Sequence, residues 1–111
     1  MFRRTRQGAV NVIAGNSPLN RESSDYLANA VEQCLGDGTP RIVFDMSEIS
    51  LIDSAGLEKL LDLDELVESR AGVMKLAAPN PLCRDILSVS GLVDHFEIHK
   101  EVKIAVGSFI N

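Results

Sequence analysis

The chain has 111 residues, 45% of them hydrophobic and 24% charged, which suits a water-soluble domain able to bury a core without metal or disulfide staples. A net charge of −5 and a pI near 4.9 argue against nucleic acid, whose phosphates need basic patches, and against an anionic membrane surface. No apolar run is long enough to insert in a bilayer.

The length predicts one domain over residues 1–111. Its start, Met1-Phe2-Arg3-Arg4-Thr5-Arg6, is basic but leads into no apolar stretch of the kind a secretory signal needs, so residues 1–7 read as a frayed terminus. Residues 9–14, Ala-Val-Asn-Val-Ile-Ala, read as a strand, and Gly15-Asn16-Ser17-Pro18 as a turn. A helix starting between Asn20 and Ser24 is marked by Leu27, Ala30, Val31, Cys34 and Leu35, with Gly36 as its stop. Gly36-Asp37-Gly38-Thr39-Pro40 is a loop. Arg41-Ile42-Val43-Phe44-Asp45 is a compact apolar strand of the kind a parallel sheet buries on both faces.

The longest helix runs from Ala55 to about Arg70, with Leu57, Leu60, Leu61, Leu63, Leu66 and Val67 on its apolar face. Val73–Ala77 is the next strand. A short helix begins at Pro79-Asn80-Pro81, with Leu82, Ile86, Leu87 and Val89 inward and Gly91 at its end. His95–Ile98 reads as a short strand, and Glu101–Val106 as a last helix. Strands thus alternate with helices, which predicts an α/β fold: a mostly parallel sheet of four or five strands with helices packed on it. In such folds functional groups gather where strands give way to helices. Asp45 ends one strand, and Asp53 and Ser54 stand at the mouth of the long helix.

Ser54 has three readings. As an N-cap, its side-chain oxygen would accept an orphan helix N–H. As a nucleophile it would need a glycine where Ile52 stands, and Asp94 and His95 are adjacent, a poor arrangement for an acid and a base acting in sequence. As a phosphate acceptor it would sit at the positive end of a helix dipole, with Gly56 leaving room for another protein's backbone. His95 and His99 have no cysteine or H-E-x-x-H partner and read as ordinary histidines, so no metal is expected. Glu58, Asp62, Glu65 and Ser69, with Asp64 and Glu68 nearby, read as a solvated acidic face. No phosphate-binding glycine motif is present, so no nucleotide or other cofactor is expected. Cys34 and Cys83, far apart, read as reduced thiols of a cytoplasmic protein.

The stretch Arg41–Leu61, "RIVFDMSEISLIDSAGLEKLL", resembles the signature of STAS domains, which include the bacterial anti-sigma factor antagonists, or anti-anti-sigma factors. That pattern is an apolar strand ending in Asp, a polar link, an apolar pair, Asp-Ser-Ser/Thr-Gly-Leu and a Leu-rich helix. The likeness continues through Val73–Ala77, Pro81–Val89 and Ser90-Gly91-Leu92 with Phe96. The resemblance implies a small α/β sandwich whose N-terminal strand pairs antiparallel at one side. It implies no enzymatic activity. It also implies a partner that is both anti-sigma factor and serine kinase, phosphorylation at Ser54 that switches binding off, and a phosphatase that resets it. Asp45, Asp53, Ser54, Ala55, Gly56 and Glu58 fall on the partner surface so implied. Ala55 replaces the second hydroxyl of the pattern, Glu58 stands where a small residue is usual, and the Gly15–Leu19 loop departs from it. The alternative within the family is a subunit of another assembly, with a lipid-transport ATPase or a stress-signalling scaffold, without serine phosphorylation.

Overall fold

The computed structural model describes residues 2–16, 18–36 and 38–109. Met1, Ser17 of the expected turn and Asp37 of the expected loop lie outside the described residues. In chain order the elements are β1 (Phe2–Gln7), β2 (Val10–Gly15), α1 (Arg21–Glu32), β3 (Arg41–Asp45), α2 (Ser54–Ser69), β4 (Val73–Ala77), α3 (Pro81–Val89), a 3-10 turn (Leu92–Asp94), β5 (Ile98–His99) and α4 (Val102–Gly107). The strands form one five-stranded sheet in the order β1-β2-β3-β4-β5. β1 is antiparallel to β2, and the remaining pairs are parallel, so the sheet is mixed.

Side-chain alternation sorts the strands into two faces. Ile13, Ile42, Phe44, Met74 and Leu76 point to the face covered by α1, α2 and α3, in a core that also takes in Leu27, Leu60, Val67 and Leu87. Val10, Val12, Val43 and Ala77 point to the other face, where Ala105 of α4 meets them. The compact run Ile42-Val43-Phe44 is therefore buried on both sides, as its composition predicts.

The frayed terminus expected at residues 1–7 is instead strand β1 over Phe2–Gln7, held by its register with β2 from Phe2 opposite Gly15 to Gln7 opposite Val10. The Phe2 ring packs 6.0 Å from Phe44, and Arg4 donates to Asn11 Oδ1 at 3.2 Å. The arginines hide a strand because an edge needs no alternating apolar pattern. His95–Ile98 is not a strand: Leu92–Asp94 turns as a 3-10 helix, and pairing with β4 begins only at Ile98. On α3 the inward residues are Cys83 and Leu87, one turn apart, while Leu82 is 52% and Val89 90% exposed. The apolar side expected there was rotated, because Cys83 behaves as a small hydrophobe and sets the stripe.

The end of α2 has a Schellman closure: Gly72 N–H donates to Val67 O at 3.0 Å and Ala71 N–H to Glu68 O at 2.9 Å. The left-handed residue there is Ala71, with φ of 61°, not the glycine beside it. Gly72 is needed for another reason, since a Cβ on it would collide with Pro40.

Candidate functional site

The chain between β3 and α2 is a loop pinned on both sides. Met46, Ile49 and Ile52 are buried and anchor it from below, while Ser50 and Leu51 remain exposed. On one flank Leu19 N–H donates to Leu51 O at 2.9 Å, and Asp53 N–H donates to Leu19 O at 3.1 Å. On the other flank Asn80 Nδ2 donates to Ile49 O at 3.1 Å and Ser50 O at 3.3 Å, while Asn80 Oδ1 accepts from Cys83 N–H at 2.7 Å. Asn80 is thus both the N-cap of α3 and a clasp on the loop before α2. The segment after β2 and the start of α3 therefore both abut the approach to Ser54.

The N-cap of α2 is Asp53, not Ser54: its extended backbone starts the helix, and its Oδ1 accepts from Gly56 N–H at 2.9 Å. Both residue types cap well, and the carboxylate takes the position because the chain is already extended at Asp53, where it bridges to Leu19. Ser54 is consequently the first residue of α2, exposed, and no side chain among the described residues hydrogen-bonds to its hydroxyl. Its hydroxyl stands at the positive end of a 16-residue helix.

Gly56 is buried and serves the fold, not an approaching protein. A Cβ there would collide with the Leu19 carbonyl oxygen and come within 2.9 Å of Ile52 Cγ2. The glycine lets the first turn of α2 lie against the backbone that follows β2. Ala55 is half-buried, and with Glu58 it lines a cleft between α1 and α2 that also holds Arg21 and Lys59. Asp45 takes no part in this surface. It shares the strand parity of Val43, and its Oδ1 accepts from Ser47 N–H at 2.9 Å, closing the turn after β3. Of the six residues expected together, Asp53, Ser54, Ala55 and Glu58 form one outward patch. Gly56 lies beneath it and Asp45 apart from it.

The serine–acid–histidine arrangement does not assemble. His95 Nε2 lies 2.8 Å from Asp64 Oδ2, and Asp64 is ten positions along α2 from Ser54, roughly 15 Å along the helix axis. That pair is what the sequence pattern missed. Asp64 is buried, not part of a solvated face, and its carboxyl is pushed up to about 6, first by burial, then by Glu68 beside it, with His95 pulling the other way. Asp64, Glu68 and His95 converge with their donor atoms within 4.8 Å of one another. The signal available in the sequence was Asp64 next to Leu63, on the side of α2 that turns toward the 3-10 segment. His99 pairs with Glu97 at 3.0 Å. Both cysteines are free and buried, and burial pushes both thiols up, which makes them poor nucleophiles.

Residues 2–105 match the family model described as STAS domain. Among solved structures, the Thermotoga maritima protein TM1081 superposes with a TM-score of 0.90 at 22% identity, covering 99% of this chain and 95% of that one. The anti-sigma factor antagonist SpoIIAA in its unphosphorylated form, from Bacillus, gives a TM-score of 0.77 at 22% identity over 98% of this chain and 96% of that one. The murine anion transporter Slc26a9 contains the same fold, with a TM-score of 0.78 and 20% identity over 92% of this chain but 18% of the transporter. At these identities the likeness is one of fold. A sequence comparison with curated proteins gave no match. Among the described residues no helix is long and apolar enough to cross a membrane.

Proposed function

The chain belongs to the STAS domain family, and from that premise we propose that it is a non-catalytic regulatory module of the anti-sigma factor antagonist type, acting in the cytoplasm. Its unphosphorylated form binds an anti-sigma factor that is also a serine kinase, phosphorylation of Ser54 ends that binding, and a phosphatase restores it. The observation that carries this reading is the position of Ser54: an exposed hydroxyl on the first residue of α2, where Asp53 does the capping and no side chain among the described residues bonds to it. SpoIIAA, with the same fold, is known in both unphosphorylated and phosphorylated forms.

The physics favours a switch at the interface over a change of fold. A phosphate adds about −1.5 to −2 charges at neutral pH. The helix N-terminus stabilises it by roughly 0.3–1 kcal/mol. Asp53 and Glu58, both exposed, oppose it through screened repulsion of similar size. The fold therefore tolerates the modification. Buried against a partner's apolar or acidic surface, the same charge costs several kcal/mol, and about 2.7 kcal/mol already weakens binding a hundredfold.

Mass spectrometry of the protein from its native cells tests the reading, with phosphate expected on Ser54. Binding to the copurifying kinase should survive Ser54→Ala and fail with Ser54→Asp. An unmodified Ser54 under every growth condition, with partner binding equal in both variants, overturns the switch and favours the subunit role in another assembly. An esterase assay with Ser54→Ala as control checks the non-catalytic part: hydrolysis lost in the variant would refute it.

A further inference from the structure

The seam between α2 and α3 is an unfilled apolar groove. Leu57, Ile86 and Val89 line it, with Asp85 and Ser90 at its rim. Val89 is 90% exposed and Leu82, two turns before it on α3, is 52% exposed. Leu82, Ile86 and Val89 recur at helical spacing and so share one face. Leu57, on its α2 side, lies one turn beyond Ser54. Four residues further, Leu61 leads into a second cleft, lined by Asp64, Glu65, Glu68 and His95. The same face of α2 thus passes from apolar near its start to acidic near its end.

We propose that this groove receives an amphipathic helix of a partner protein, with an apolar ridge seated on Leu57, Ile86 and Val89 and an arginine or lysine reaching the exposed carboxylates of Glu65 and Glu68. Three features select that occupant. Side chains spaced three and four apart on a groove between two helices match the ridge of a third helix. The far end gathers three carboxylates, so a cation there is complementary and an anion is rejected. Asp64, 7% exposed in its side chain, is already held by His95 at 2.8 Å, so the exposed Glu65 and Glu68 are the carboxylates left for an incoming cation. The rim residue Asp85 extends the same sign along the groove. This rests on the preceding reading only in taking the partner to be the one that meets Ser54.

The test is a displayed library of random 16-residue peptides selected on the full chain and counter-selected on Val89→Glu. Both positions to be varied, Val89 and Glu68, are exposed, so the variants keep the fold. Enriched peptides should carry apolar residues three and four apart followed by Arg or Lys. Their synthetic forms should shift the amide resonances of Leu57, Ile86, Val89 and Glu68, and should bind at least tenfold more weakly to Val89→Glu and to Glu68→Lys. No enrichment, winners lacking a basic residue, or affinity indifferent to both variants overturns the proposal. Self-association of the chain that Val89→Glu abolishes also overturns it, by making a second copy the occupant. The two readings fail separately: peptide binding in the groove stands whether or not cells phosphorylate Ser54, and phosphate on Ser54 stands whether or not the groove binds peptides.

Discussion

On one face of the sheet, three helices cover Phe44, Ile42, Ile13 and Leu76, all at zero exposure. On the other, the six-residue α4 covers Val10, Val12, Val43 and Ala77. The second face also buries an amine. Lys75 Nζ donates to Ser108 Oγ at 2.6 Å, lies 3.0 Å from Glu97 Oε2 and sits 4.2 Å over the Phe109 ring. Glu97 is held below the usual carboxylate range, chiefly by its hydrogen bond to Lys75. Large side chains without polar atoms supply most of the burial free energy on the first face. On the second, small side chains leave fastening to a few polar contacts, each of modest net worth. The candidate site at Ser54, at the exposed start of α2, belongs to the strong face.

Removing bulk from the first face should give the largest effect: Phe44→Ala is expected to cost about 3–5 kcal/mol, read as a drop in the midpoint of cooperative unfolding. Lys75→Met keeps the stem and removes the charge. It should cost roughly 1.5–3 kcal/mol, seen as faster amide exchange across α4 while α1 to α3 stay protected. Loss of protection everywhere would contradict the division between faces. Gly56→Ala should cost roughly 1–3 kcal/mol, because the first turn of α2 must lift from Leu19, and it should move the amide resonances of Ser54 and Leu19 together.

A pH titration gives a further signature. Asp64 has its folded pKa raised to about 6 from an ordinary 3.8, so the folded state holds the proton more tightly than the unfolded chain. Its contribution is fully present below about pH 4 and is lost as pH rises through 6. Chemical denaturation across that window should show stability falling, and Asp64→Asn should flatten the profile. The smallest expected change is favourable: Ala71→Gly relieves a left-handed alanine at the close of α2, for a net gain of about 0.5 kcal/mol in the denaturation midpoint.

The strands Arg41–Asp45 and Val73–Ala77 were legible to the residue, because compact apolar runs between turn formers leave little freedom of assignment. The long helix was legible too, apart from its first residue, where Asp53 and Ser54 compete for one role that only backbone geometry assigns. What stayed hidden depends on distant partners. Gly56 answers to Leu19, which is 37 positions earlier. Asp64 answers to His95, 31 positions later. Local periodicity does not register either. The inward side of α3 hides for a similar reason: its buried residues are Cys83 and Leu87, and Cys83 Sγ donates to the carbonyl of Ile49, 34 positions earlier, at 3.4 Å.

The two borders of the sheet differ from its middle in a way that bears on recognition. One border is β1, whose Arg3, Arg4 and Arg6 are exposed, and the other is β5, two residues long. Crowded positive charge along one rim and brevity along the other deny a foreign strand a template to extend. Recruitment by strand addition, with its backbone-to-backbone zipping, is thereby disfavoured at both borders. On the proposed function, specificity would rest with side chains of the helical face, where single substitutions tune it.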